Sequence, residues 1–97
     1  MPTYITLTRW TQKGIENVKG GPGRLDAVRQ AAKAAGVELK AYYLTLGQYD
    51  GVAVFDAPND EAVARLALGF GAQGNVRSET MRAFTEDEYR KLVASLP

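Results

Sequence analysis

The fold is decided by Gly47-Gln48-Tyr49-Asp50-Gly51-Val52-Ala53-Val54-Phe55-Asp56-Ala57, which joins a tight turn to an apolar strand. Gly47 and Asp50 suit the turn, because glycine adopts positive φ angles and aspartate accepts backbone N–H bonds. The strand, Val52–Ala57, is nearly all apolar, as is typical of a central strand covered on both faces. A buried, unpaired charge costs several kcal/mol, so we expect Val54→Asp to unfold the protein.

The residues before this stretch predict a strand, a helix and a second strand. Tyr4–Trp10 alternates apolar side chains with threonines and is rich in β-branched and aromatic residues. Residues 11–23 contain a short helical turn. Arg24–Ala35 carries an apolar stripe at helical spacing, and Gly36 is suited to end that helix. Val37–Leu46 follows as the second strand.

The residues after the apolar strand predict a helix, a fourth strand and a final helix. Asn59 is suited to cap the first of these helices. Asn75–Phe84 alternates along a strand, and Thr85 with Glu88 forms a capping-box pattern that begins the last helix. The chain therefore runs β-α-β-β-α-β with an additional C-terminal helix.

This element order predicts a ferredoxin-like α+β fold. Right-handed crossovers place the strands in the order 4-1-3-2 in one antiparallel sheet, with both main helices on the same face. Because the chain has 97 residues and neither linkers nor repeats, we expect residues 1–97 to form a single domain.

The composition excludes several classes of site. The chain has 12 Lys and Arg against 11 Asp and Glu, and this net charge of +1 argues against nucleic-acid or membrane-surface binding. It has no cysteine and no histidine, which excludes thiolate metal sites, cysteine nucleophiles and a Ser-His-Asp triad. We expect no metal and no cofactor. The sequence shows neither a signal-peptide pattern nor a membrane-spanning run, so we expect a cytoplasmic protein.

The predicted sheet has one face that the two main helices do not cover. On the first strand, we expect Tyr4, Thr6, Thr8 and Trp10 to lie on that face. An amphipathic, aromatic face of this kind favours packing against a second copy, because a monomer would expose a large apolar patch. We therefore expect a homo-oligomer, a dimer or larger. The alternative is that the C-terminal helix folds back and covers the face.

Three separated segments of the chain resemble the GYD domain family. That family takes its name from a Gly, a Tyr and an Asp in the central hairpin, matched here by Gly47, Tyr49 and Asp50. The resemblance implies a ferredoxin-like fold related to the dimeric α/β-barrel domains, a group that includes cofactor-free monooxygenases, haem-handling enzymes and ligand sensors. Fold analogy does not choose among these functions. The matching segments are Tyr4-Ile5-Thr6-Leu7 with Trp10-Thr11 and Gly14-Ile15, the run Tyr43–Asp60, and Gly74-Asn75-Val76-Arg77 with Glu79-Thr80 and Arg82-Ala83-Phe84.

Five residues are candidates for a ligand site: Trp10, Tyr49, Asp50, Arg77 and Glu79. Trp10 would form an aromatic wall, and the planar guanidinium of Arg77 matches a carboxylate. Tyr49 and Asp50 would orient a substrate or share a proton. Each also has a structural interpretation: turn residues at positions 49 and 50, a core or interface residue for Trp10, and an ion pair between Arg77 and Glu79.

The leading hypothesis is a small-molecule binding or sensing module, with the ligand between sheet and helices or at a subunit interface. The competing hypothesis is a cofactor-free enzyme of the dimeric-barrel type, a monooxygenase or isomerase, with Asp50 or Glu79 as base. A third is a purely structural oligomer. The enzyme hypothesis requires a carboxylate or tyrosine with a shifted pKa inside a cavity.

Overall fold

One four-stranded antiparallel sheet carries two long helices on one face in the computed structural model, which describes residues 1–97. A 3-10 turn at Val18–Gly20 precedes the first long helix. The other elements, in chain order, are β1 (Thr3–Trp10), α1 (Gln12–Glu16), α2 (Gly21–Ala34), β2 (Glu38–Leu44), β3 (Gly51–Asp56), α3 (Asp60–Ala72), β4 (Val76–Ala83) and α4 (Glu86–Ala94).

The sheet order is β2-β3-β1-β4, which is the predicted order 4-1-3-2 read from the other edge. Every neighbouring pair of strands is antiparallel. The connection from β1 to β2 passes through α2, and the connection from β3 to β4 passes through α3. The α+β class, the strand order and the extra C-terminal helix are therefore confirmed.

Local capping signals placed the helices well. The Asn59 side chain accepts a hydrogen bond from the backbone of Ala62 at 2.9 Å, which confirms it as the cap of α3. Thr85 and Glu88 form the predicted capping box at α4, with bonds of 3.2 and 2.9 Å. Because the Thr85 backbone N–H stabilises the Glu88 carboxylate, the pKa of Glu88 lies below its usual value.

Two elements differ most from their predicted bounds. Helix α2 begins at Gly21 and not at Arg24, because Pro22 in its first turn is compatible with helical geometry and needs no N–H partner there. Strand β2 is shorter than Val37–Leu46, and its pairing with β3 shifts register between Leu39 and Ala41. The helical turn predicted within residues 11–23 is present as α1.

The face assignment predicted for β1 is wrong. Tyr4 and Thr6 are buried on the helix side, where they stand opposite Phe55 and Ala53 of the core. Thr8 and Trp10 lie on that same face because side chains alternate along a strand. Nine buried residues form this core: Tyr4, Ala32, Val37, Leu39, Ala53, Phe55, Ala57, Ala62 and Val63.

Polar side chains on the helix side are accommodated by specific partners. The Tyr4 hydroxyl donates a hydrogen bond of 2.5 Å to Asp60 at the start of α3. This bond stabilises the protonated phenol beside a carboxylate and raises the pKa of Tyr4. The hydroxyls of Thr6 and Thr80 lie 3.0 Å apart and bond to each other. A buried polar group that forms a hydrogen bond adds little free-energy cost to folding. The threonine-rich side of β1 can therefore pack toward the helices.

The opposite, open face of the sheet is apolar and not covered by α4. It carries Ile5 and Leu7 of β1 and Val52 and Val54 of β3, all half-buried in the single chain. Val54 therefore lies at the open surface, and the expectation that Val54→Asp unfolds the chain is withdrawn, because the strand is not covered on this face. The alternative cover by the C-terminal helix is also wrong, since the apolar side chains of α4 are themselves exposed: Tyr89, Leu92, Val93 and, just beyond the helix, Leu96.

At Gly14 two parts of the backbone lie close together. A Cβ atom at this position would lie 1.9 Å from the carbonyl oxygen of Asn75, which also accepts the backbone N–H of Thr11.

We expect Gly14→Ala to lower the free energy of unfolding by roughly 1–3 kcal/mol, because the two segments must separate. Gly23→Ala is the matched control. That helical position has no atom within 4 Å of a new Cβ, and the alanine should stabilise by about 0.5–1 kcal/mol. Urea titration measures both variants, and equal effects would contradict the prediction.

Candidate functional site

A cavity of about 630 Å³ lies between the sheet and the two long helices. Helix α2 packs on β2 at one edge of the sheet, and α3 packs on β4 at the other. The space between them, above β1 and β3, is therefore left open. This volume falls within the roughly 300–1,000 Å³ typical of small-molecule sites.

Apolar side chains form most of the cavity wall. Ala53 and Phe55 of β3 form part of the floor, and α2 and α3 each supply a row of side chains at helical spacing. Small residues at the centre of the floor leave room that larger ones would fill. The helix residues that form the two rows are Leu25 and Val28 on α2, and Val63, Leu66 and Phe70 on α3.

A cluster of four hydroxyls interrupts this apolar surface on the floor of the cavity. In the pairing of β1 with β4, Thr6 stands opposite Thr80 and Thr8 opposite Ser78. Ser78 and Thr80 are exposed, so their hydroxyls are accessible from the cavity. A few polar groups fixed on an otherwise apolar wall are the usual means by which a pocket orients a ligand.

Besides Phe55 and Phe70, the cavity is lined by two aromatic residues that carry a polar group, Trp10 and Tyr42, and Trp10 is among the predicted site residues. Trp10, at the end of β1, lines it as an aromatic wall. Tyr42 lines it as well, whereas Tyr43 is 62% exposed and lies opposite Val52 of the open face. Burial raises the pKa of Tyr42, and the nearby charge of Asp50 raises it further. The Tyr42 hydroxyl is therefore a protonated hydrogen-bond donor at neutral pH.

Asp50 joins the hairpin to the end of β1. Its carboxylate accepts a hydrogen bond of 2.9 Å from the backbone of Trp10, and its own backbone N–H donates to the carbonyl of Thr8 at 2.8 Å. Gly47 has a φ of 113°, which confirms that the turn needs a residue free to adopt positive φ. Asp50 is outside the cavity lining, and these bonds match its structural interpretation.

Gly51 is a site residue that sequence reasoning missed. A Cβ at this position would lie 2.6 Å from the Tyr42 hydroxyl oxygen and 2.7 Å from the Thr8 hydroxyl oxygen. The glycine therefore lets both polar groups approach the strand at the cavity. Its place directly after the hairpin was visible in the sequence, but no local pattern indicated this contact.

The other predicted site residues lie on the opposite side of the sheet. The Tyr49 hydroxyl donates to Glu79 at 3.1 Å, and the Arg9 guanidinium stands 4.6 Å from the centre of the Tyr49 ring. Arg77 pairs with Arg9 across β1 and β4 and belongs to this open face. The structure therefore divides the five candidates: Trp10 lines the cavity, Asp50 bonds to the backbone outside it, and Tyr49, Arg77 and Glu79 lie on the open side of the sheet. Their roles in binding stay predictions.

No group of three or more Asp, Glu, His or Cys side chains is arranged to hold a metal ion. None of the helices combines the length and apolar composition that crossing a bilayer requires.

A known protein is similar to this chain in sequence, and a solved structure is similar to it in fold. A Thermus thermophilus protein called glutamine synthetase and cystathionine beta-lyase binding protein is 37% identical over 84 residues, which cover 86% of this chain and 88% of the relative. The crystal structure of the Thermus thermophilus protein TTHA0845 aligns with a TM-score of 0.54 at 23% identity, covering 88% of this chain and 95% of the other. The second likeness supports the fold alone.

The sequence also matches a family over most of its length. The match to the GYD domain spans residues 4–93, from the first strand to the last helix. It includes the hairpin with Gly47, Tyr49 and Asp50, from which the resemblance was drawn. The chain is thus a member of the GYD domain family.

Proposed function

We propose that this chain binds a small molecule in the cavity between the sheet and helices α2 and α3. The observation that carries the proposal is the cavity itself, whose volume, apolar walls and four floor hydroxyls match the usual character of a ligand site. A family match and a relative with a binding protein's name agree with a binding role in general terms.

Binding is better supported than catalysis by the groups that line the cavity. No carboxylate is among them, and the ionisable groups are Arg24 and Tyr42. Tyr42 meets one condition of the enzyme hypothesis, because it is a tyrosine with a shifted pKa. The shift is upward, however, so the phenolate that would serve as a base is scarce at neutral pH.

Filling the cavity tests the proposal directly. Ala67 lines the cavity on α3, whereas Ala64 is exposed on the same helix and outside the lining. We expect Ala67→Trp to weaken binding of the neutral fluorescent probe N-phenyl-1-naphthylamine by roughly tenfold or more. Ala64→Trp, the same substitution on the outer face, should leave the affinity unchanged. Equal affinities in the wild type and both variants would place the probe elsewhere and contradict the proposal.

We also propose that the open face of the sheet is the contact between copies of this chain. Its support is the half-buried apolar patch around Leu7 and Val54. Monomeric proteins rarely leave large contiguous apolar patches uncovered.

A charge on the open face should separate the copies without unfolding them. We expect Val54→Asp to be a folded monomer by light scattering and circular dichroism, while the wild type is a dimer or larger. Leu46→Asp is the control, because Leu46 is 97% exposed in the hairpin loop and should remain assembled. A wild-type monomer would rule out this contact, as would a Val54→Asp variant that assembles like the wild type.

The relative's name favours a second candidate function, which is binding to another protein. The surface available for it is the exposed apolar side of α4, which includes Leu92 at 49% exposure. Purified glutamine synthetase from the organism that produces this chain should then give a saturable binding signal with it. Leu92→Asp should reduce that binding signal. The absence of any saturable signal with the wild type would remove this candidate and leave the cavity proposal unaffected.

A further inference from the structure

A single charged side chain lines the large cavity. Arg24, in the first turns of α2, borders both the apolar cavity and a smaller depression beside it. Every other residue in the lining of the large cavity is uncharged. The arginine therefore places a cation at the edge of a mostly apolar space, where lower solvent access strengthens its electrostatic interactions.

No acidic side chain compensates this arginine. Its guanidinium donates one hydrogen bond, of 2.8 Å, to the backbone carbonyl of Asn17, and it forms no ion pair with a carboxylate. The guanidinium has five N–H donors, so most of them remain available to another acceptor.

The adjoining depression adds positive charge. Lys13 and Lys19 line it together with Arg24, against one carboxylate from Glu16. Glu16 accepts a hydrogen bond from the Gln12 side chain at 2.9 Å, and Lys13 donates to the carbonyl of Gln73 at 2.8 Å. Three cations and one anion leave this mouth of the cavity net positive.

We propose that the ligand of the cavity is an amphipathic carboxylic acid, with its apolar body between the helices and its carboxylate at Arg24. This inference rests on the proposed function and adds the chemical class of the ligand. Removal of the apolar body from water favours entry, and the planar guanidinium fork matches a carboxylate geometrically. A neutral molecule of the same shape gains only the burial of its apolar body. A cationic molecule is also repelled by the positive charge at the mouth of the cavity.

Three amphiphiles that share one chain and differ in head group test this class. Dodecanoate, dodecan-1-ol and dodecyltrimethylammonium are each titrated below micelle-forming concentrations, with displacement of N-phenyl-1-naphthylamine as readout. We expect dodecanoate to bind at least about tenfold more tightly than dodecan-1-ol, as charge-assisted hydrogen bonds imply. Dodecyltrimethylammonium should bind most weakly. The advantage of dodecanoate should shrink as salt is added.

Variants of α2 assign that preference to one residue. Arg24→Gln should abolish the preference for dodecanoate over dodecan-1-ol, and circular dichroism reports that the variant is folded. Arg24→Lys should retain part of the preference, because the charge remains and the fork is lost. Arg29→Gln is the control, since Arg29 is exposed on the same helix and outside the lining.

The outcomes separate this inference from the proposed function. Equal affinities of dodecanoate and dodecan-1-ol for the wild type would overturn the carboxylate assignment while the cavity remained a ligand site. A preference that survives in Arg24→Gln would overturn it as well. If the neutral probe and all three amphiphiles fail to bind, both the assignment and the proposed function are refuted.

Discussion

Strand β1 pairs with β3 at the centre of the sheet, and this pairing determines which side chains meet the helices. Tyr4 stands opposite Phe55 on the helix side, and Ile5 stands opposite Val54 on the open side. A shift of one residue would exchange the two faces, because side chains alternate along a strand. The cavity floor and the open apolar face are both built on this pair, so both proposed binding surfaces depend on one register.

The same sheet explains why a cavity remains above it. Its centre carries small residues, with Ala53 on the floor and Gly51 beneath the Tyr42 hydroxyl, and the helices pack at opposite edges. Such a space forgoes the dispersion contacts that a filled core would make, so the empty domain is less stable than a packed one. A ligand that binds only the folded chain restores stability by mass action. On the proposed function, a ligand in the cavity and a contact at the open face therefore both add to the stability of the folded domain.

Local signals predicted the order of the elements, because caps and periodicity act over a few residues, as at Asn59 and Thr85. The faces of β1 were not predictable in this way. Hydropathy placed Ile5 toward the helices, whereas the structure buries Tyr4, whose hydroxyl finds Asp60 more than fifty positions away. The site followed the same rule. The sequence predicts Trp10 as an aromatic wall, and Trp10 lines the cavity. The position of Arg24 at the cavity depends on how α2 lies over the sheet, which no local pattern reports.

Native mass spectrometry of the protein purified gently from its own cells examines both proposed contacts at once, because it reports subunit number and retained small molecules together. We expect an assembly of two or more copies that releases one bound mass per chain, and fragmentation of that mass should show a carboxylic acid with an apolar body. Chains that carry no bound mass in any assembly state, while the purified protein also fails to take up the neutral probe, would rule out a ligand in the cavity.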